Sequence, residues 1–208
     1  MKNMTSLRRV KKTILVGLVL SGFGLYADTT YKIDKAHTNL GFEIDHLMIS
    51  TVTGRFKDFE GEIVISDDKK KLLSIQGYAL AKSIDTDNSK RDDHLRSKDF
   101  FDAQKFTKLE FSIKELDISS GSSSNVKGKL TIRGITKDVK VKVKFKGTVM
   151  DPWGAQKLAV DAETTINRKD FGLTWNEALE TGGVMVGEDV KILIKAEADL
   201  VESNKSKK

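Results

Sequence analysis

The sequence predicts an all-β protein of antiparallel strands, and three observations carry that expectation. Apolar and polar residues alternate with a period of two in segment after segment, the pattern of strands with one buried face. These segments follow one another through short polar connections, too short for the crossover helices that parallel neighbours need. One stretch, residues 89–102, breaks the rhythm: it is dense in charge, then turns aromatic, and Leu95, Arg96, Asp99 and Phe100 would cluster at one-turn spacing if it coiled. A short helical insert is therefore expected near residues 90–103, as a lid or wall of whatever the protein holds or as an ordinary surface turn.

The first 27 residues stand apart. Arg8, Arg9, Lys11 and Lys12 precede an apolar run at 14–25 that is short for a bilayer span, and Ala27 ends it. This reads as a cleavable signal peptide at 1–27 rather than a retained anchor, and it implies export. Its removal leaves 181 of the 208 residues, enough for one domain at 28–202 with a sizeable core and a frayed basic tail at 203–208. The formal charge then falls from +6 to +1, because the leader carries five basic residues and no acid. Nucleic acid loses its main support as a partner. The chain has no cysteine, which excludes disulfides, thiolate metal sites, covalent haem and a cysteine nucleophile.

Within 28–202 the strands read in order. Leu40, Phe42 and Ile44 alternate with polar neighbours, and 52–56 and 60–65 continue the pattern. Along 72–84, Ile75, Gly77, Ala79 and Ala81 share one face, and such small residues suit a curved sheet or a close backbone approach. Strands follow at 109–116 and 126–131, separated by a Ser-rich hairpin tip at 119–125. Arg133-Gly134 through Asp138 reads as a turn. Val139, Val141, Val143 and Phe145 then oppose Lys140, Lys142, Lys144 and Lys146, which gives a solvated outer face whose charges discourage edge pairing. Residues 151–154 hold the single proline in a turn, 158–166 alternate again, and the last strand runs 190–200. A sandwich and a barrel both fit eight to nine such segments.

Catalytic patterns do not appear. His37 and His46 are an odd number apart, so on one strand they face opposite sides, and no zinc-type histidine spacing, nucleophile elbow or phosphate-binding loop occurs. No enzyme, no metal and no cofactor is expected.

Several segments together resemble the YceI-like family of periplasmic polyisoprenoid-binding proteins. They are His37-Thr38 before 40–42, Gly54-Arg55-Phe56 leading to Phe59-Glu60-Gly61, residues 91–95 with 99–102, residues 128–137, residues 167–172 and residues 186–190. Thr107 and Asp138 stand where the family carries proline. The resemblance implies an eight-stranded antiparallel lipocalin-like barrel in the periplasm. It further implies an enclosed isoprenoid or other amphiphilic lipid, such as a polyprenyl phosphate or a quinone, and a homodimer; transient membrane contact is a separate expectation. On that reading Phe42, Ile44, Phe111 and Ile113 face either the ligand or a dimer partner. Phe100, Phe101 and Phe106 close one end, and Leu95 and Phe171 are further candidate ligand contacts. Trp153 and Trp175 suit a mouth where one ring edge stays wet, and Arg91, His94 and Arg168 are candidate head-group contacts. Against this stand ion pairs of Arg91 and Arg168 with Asp92, Asp99 or Asp170, and a structural His94. Two other roles remain open: an accessory of a membrane redox or stress-response system that presents a quinone or holds haem through His94, and a barrel filled by its own side chains.

Overall fold

The computed structural model describes residues 28–201 other than 67, 69, 119, 120 and 181; the expected leader at 1–27 and tail at 203–208 lie outside the described residues. Strands β1 (Thr29–Ile33), β2 (Asn39–His46), β3 (Ser50–Phe56), β4 (Phe59–Ile65), β5 (Lys71–Leu80) and β6 (Ile84–Asp85) precede helix α1 (Ser89–Arg96). Strands β7 (Lys108–Asp117), β8 (Ser123–Ile132), β9 (Ile135–Met150), β10 (Gln156–Asn167) and β11 (Val186–Leu200) follow it. Every pairing is antiparallel, and β1 on β11 closes the ring. The expected class is therefore observed, and the architecture is the barrel rather than the sandwich.

The eight barrel strands are built from eleven segments because three strands are broken. β1 and β2 run in succession along one edge of β11, β1 against residues 198–200 and β2 against 186–195. β4 and β3 repeat the break beside them, and so do β5 and β6. Each break needs substitutes for lost ladder bonds, since buried backbone groups must be paired. The Thr38 hydroxyl donates to the Glu197 carbonyl at 3.1 Å and accepts from the Glu197 N–H at the same distance. The Leu80 N–H donates to the Asp58 carbonyl at 2.8 Å. β1 and β6, at five and two residues, are too short for a period to be read, and sequence analysis did not find them.

Connections fall at two ends. The β2–β3 hairpin, α1 and the loop from β10 to β11 lie at one, which we call the mouth. The β7–β8 and β9–β10 connections lie at the other, the floor. Arg133 and Gly134 form a two-residue turn with both φ positive (51° and 73°), the geometry that suits strand twist, so β9 restarts at Ile135 and the turn is shorter than expected. At the floor, the Asp151 carboxylate accepts from the N–H groups of Trp153 and Ala155.

Inward residues fill the floor half. Tyr31, Ile65, Leu72, Ile113, Leu116, Val143, Phe145, Leu158 and Ala198 are buried there. Across β9 the expected division holds: the four apolar residues are buried and the four lysines exposed. Gly61 and Gly77 face each other across β4 and β5. A Cβ on Gly77 would stand 2.7 Å from the Glu60 carbonyl oxygen and 3.1 Å from Gly61 Cα. Backbone cannot yield there as a side chain can, and this is the close approach that the small-residue face suggested. Gly77→Val should lower the unfolding free energy by about 2–4 kcal/mol in urea denaturation.

Candidate functional site

Toward the mouth the barrel is not filled. A cavity of about 580 Å³ opens there, within the span of roughly 300–1,000 Å³ common for small-molecule pockets. Its walls are Leu40, Phe42 and Ile44 of β2, Ile63 of β4, Ile75 of β5, Phe111 of β7, Val141 of β9, Val160 and Ala162 of β10, and Ile192 and Ile194 of β11. Thr86, Asn88, Lys90, Arg91 and His94 line it at the α1 end, with Leu95, Phe100 and Phe101.

α1 is held by its charges. The Asn88 carboxamide oxygen accepts from the Arg91 N–H at 3.1 Å and caps the helix. Asp92 is buried, and its carboxylate accepts from the Thr86 N–H at 2.9 Å and the Thr86 hydroxyl at 2.6 Å. Arg91 Nε donates to the same hydroxyl oxygen and Nη2 to the Thr86 carbonyl, both at 2.8 Å. Arg96 reaches the carbonyls of Lys82 and Ile84, each at 2.9 Å. A helix of eight residues, marginal alone, is thus fastened over the point where β5 breaks. It ends at Arg96, short of the expected insert, because Ser97 is extended; residues 97–106 continue as turns, with Phe101 N–H on the Leu95 carbonyl.

The turns aim the aromatics. Phe101 meets Phe56 edge-on at 5.8 Å between centroids, and Phe56 lies 6.1 Å from Phe42. His94 stands edge-on to Phe100 at 5.0 Å and to Trp175 at 4.7 Å, with Nε2 3.2 Å from Asp99 Oδ2. A Cβ on Gly54 would come within 2.3 Å of the Phe42 ring, so this glycine gives the ring its place on the wall.

Arg168 takes part differently. Its side chain is buried and donates to the carbonyls of Gly187 (2.7 Å), Leu173 and Val186 (3.4 Å). Burial draws its pKa below the usual arginine value, and the nearby Glu188 charge opposes that. Carbonyl dipoles rather than a carboxylate satisfy it, and the loop from β10 to β11 folds around it. The ion pairs weighed for Arg91 and Arg168 do not form among the described residues; both arginines fix loops through hydrogen bonds instead.

Of the sequence candidates, Phe42, Ile44, Arg91, His94, Leu95, Phe100, Phe101, Phe111, Arg168 and Trp175 line the cavity. Four do not. Ile113 lies in the floor packing; Phe171 is buried in the short turn of helix Arg168–Phe171. Phe106 sits outside the cavity, beneath Gly134 and near Arg133 and Lys105. Trp153 is 89% exposed at the floor end, far along the chain's ladder from the mouth it was expected to frame. Sequence reasoning missed Val160, Ala162, Ile192 and Ile194 as lining, although the alternation of β10 and β11 marks them.

No histidine of the described residues is hydrogen-bonded to a hydroxyl nucleophile. Asp34, His37 and Glu197 do gather on the outside, within reach of one shared ion. Lys157 is already there, 3.9 Å from Asp34 and 3.8 Å from Glu197. His37 is raised and Asp34 lowered from their ordinary pKa values by the 2.6 Å hydrogen bond between them. The group is internally neutralised.

A closed barrel roofed by one short helix over an apolar cavity defines a class of cavity-bearing antiparallel β-barrels, and comparison specifies the family. The model of the YceI-like domain matches residues 31–198, and the chain belongs to this family. The UPF0312 protein SAS2572 of Staphylococcus aureus (strain MSSA476) is 40% identical over 177 residues, covering 84% of this chain and 99% of that one. A Campylobacter jejuni YCEI protein is 31% identical, with a TM-score of 0.65 over 81% of this chain and 96% of its own. A polyisoprenoid binding domain from Saccharophagus degradans, implicated in plant cell wall breakdown, shares the fold at a TM-score of 0.63, with 16% identity over 82% of this chain and 98% of its own.

Two outcomes test the roof. Asp92→Ala leaves the buried Thr86 N–H and hydroxyl without their acceptor and should cost about 2–4 kcal/mol in urea denaturation. Asp85 at the neighbouring β3–β6 pairing is pulled from 3.8 to about 2 by hydrogen bonds from Lys57, the Asp87 N–H and Arg55. A depressed carboxylate stabilises the fold above its unfolded value and loses that contribution as pH falls through the folded one. The stability deficit of Asp85→Asn should therefore be full at pH 5 and close as pH drops from about 4 to about 2.

Proposed function

We propose that this protein is a non-catalytic, exported carrier that holds the hydrocarbon chain of a long amphiphilic isoprenoid lipid inside its barrel. The cavity carries the reading: it lies inside the barrel, walled by aliphatic and aromatic side chains and edged at the α1 end by hydrogen-bonding groups. Such a volume rewards a ligand that is nearly all hydrocarbon. Burial is worth about 0.8 kcal/mol per methylene, so each five-carbon isoprene unit gains roughly 3–4 kcal/mol gross. Ordering the chain keeps the net far smaller. Thr86, Asn88, Lys90, Arg91 and His94 stand where a polar head group would rest, and the leader-like first 27 residues point to the periplasm. The Saccharophagus domain, named for polyisoprenoid binding, supports the same ligand class.

Protein purified from its native compartment should release an isoprenoid into organic extracts, identified by mass spectrometry; extracts free of amphiphilic lipid would count against the reading. Ala162→Phe places a ring in the cavity without removing a hydrogen bond. In a Trp153→Phe background it should leave thermal stability unchanged or raised and weaken binding of farnesol about tenfold or more, measured by Trp175 fluorescence.

A further inference from the structure

The β2–β3 hairpin ends on Leu47, Met48 and Ile49. Leu47 and Met48 both hold positive φ, 53° and 60°, a region that glycine, asparagine and aspartate enter more cheaply than large apolar residues. The tip then exposes what it strained to place: Met48 is 69% and Ile49 86% exposed. Val184, also exposed, lies on the adjoining loop, which the Leu47 N–H ties to the hairpin through the Met185 carbonyl at 2.8 Å. Water rewards neither the strain nor the exposure. The cavity lining reaches the base of this tip from both elements, through Ile44 and His46 on the hairpin and Met185 on the loop.

We propose that the tip is a membrane-docking element: Met48, Ile49 and Val184 enter the interfacial layer of a lipid bilayer and set the barrel mouth against it. The inference rests on the carrier reading, since a ligand too apolar for water must enter and leave through a membrane. The size of the patch favours a bilayer over a second copy of the chain. A stable dimer buries about 800 Å² on each partner, far more than one convex apex of three side chains, whereas insertion of roughly 5–10 Å suits such an apex. Charge does not drive the contact. Residues 85–105, on the α1 side of the mouth, carry six acids and five bases, so that segment offers no basic patch to anionic head groups. The floor end supplies an internal control, because Val149, Met150 and Trp153 are comparably exposed there but remote from the cavity.

The test uses Trp153→Phe protein, in which Trp175 is the single tryptophan, compared with the same protein carrying Met48→Ser and Ile49→Ser. Three quantities are measured: farnesol binding without membranes, co-flotation with phosphatidylcholine vesicles, and the rate of farnesol uptake from those vesicles. Both proteins should bind free farnesol equally, while the tip variant loses about tenfold or more in flotation and uptake at low and high salt alike. Unchanged uptake in the tip variant overturns the proposal. So does a tip variant that only dissociates a dimer, or vesicle binding abolished by salt. Failure of the parent to bind farnesol at all would instead defeat the carrier reading beneath it. Should the double variant not fold, Ile49→Ser alone serves, because its side chain meets mainly solvent.

Discussion

Strand β11 is shared by three neighbours, with β10 along one edge and β1 and β2 in succession along the other. A β-edge can satisfy only one partner at each residue, so β1 and β2 must divide it. The chain leaves the sheet between them, and the same break passes to β4 and β3 and then to β5 and β6. At the third break the ladder fails: β6 pairs with β3 alone and reaches no farther, while β7 pairs with β5 but not with β6. The wall is left open there, and α1 stands in the gap. One constraint on hydrogen bonding thus produces the floor, the mouth and the roof.

That geometry also divides the interior. At the floor the ladder is complete and large inward side chains meet across it, which leaves the core packed. Toward the mouth the inward face carries small residues, Gly61, Gly77 and Ala162 among them, and the cavity lies between the walls they belong to. Glycine in a strand weakens the sheet, a cost accepted at Gly61 and Gly77 because their two backbones approach too closely for a Cβ.

Charges in this site are structural before they are anything else. Arg91, Asp92 and Arg96 fasten α1 to Thr86 and to the broken end of β5, and Arg168 gathers the Leu173 carbonyl of the loop opposite with those of Val186 and Gly187 at the start of β11. Buried polar groups of this kind are costly when half satisfied and specifying when complete. Here they hold two loops that must stay put around a cavity whose apolar walls offer no direction of their own.

By itself the chain determined the strand class, the inward phase of β9 and β10, the non-strand insert and the places of the turns, though not the length of the one at Arg133-Gly134, because period and turn chemistry are local. Family-like motifs carried the barrel and part of the lining, through Phe42, Phe100 and Phe101, while strand alternation added Phe111 and ring chemistry Trp175; all five line the cavity. Tertiary structure decided the rest. Phase places Ile113 and Phe111 on one face alike, yet only the height along the barrel puts one in the packed floor and the other on the cavity wall. Trp153 looks like a mouth residue in composition, but the β9–β10 register carries it to the opposite end. Arg168 resembles an ion-pairing loop residue until the fold brings the carbonyls of residues 173, 186 and 187 around it. Each of these depends on which distant strand lies alongside, and a two-residue period carries no information about that.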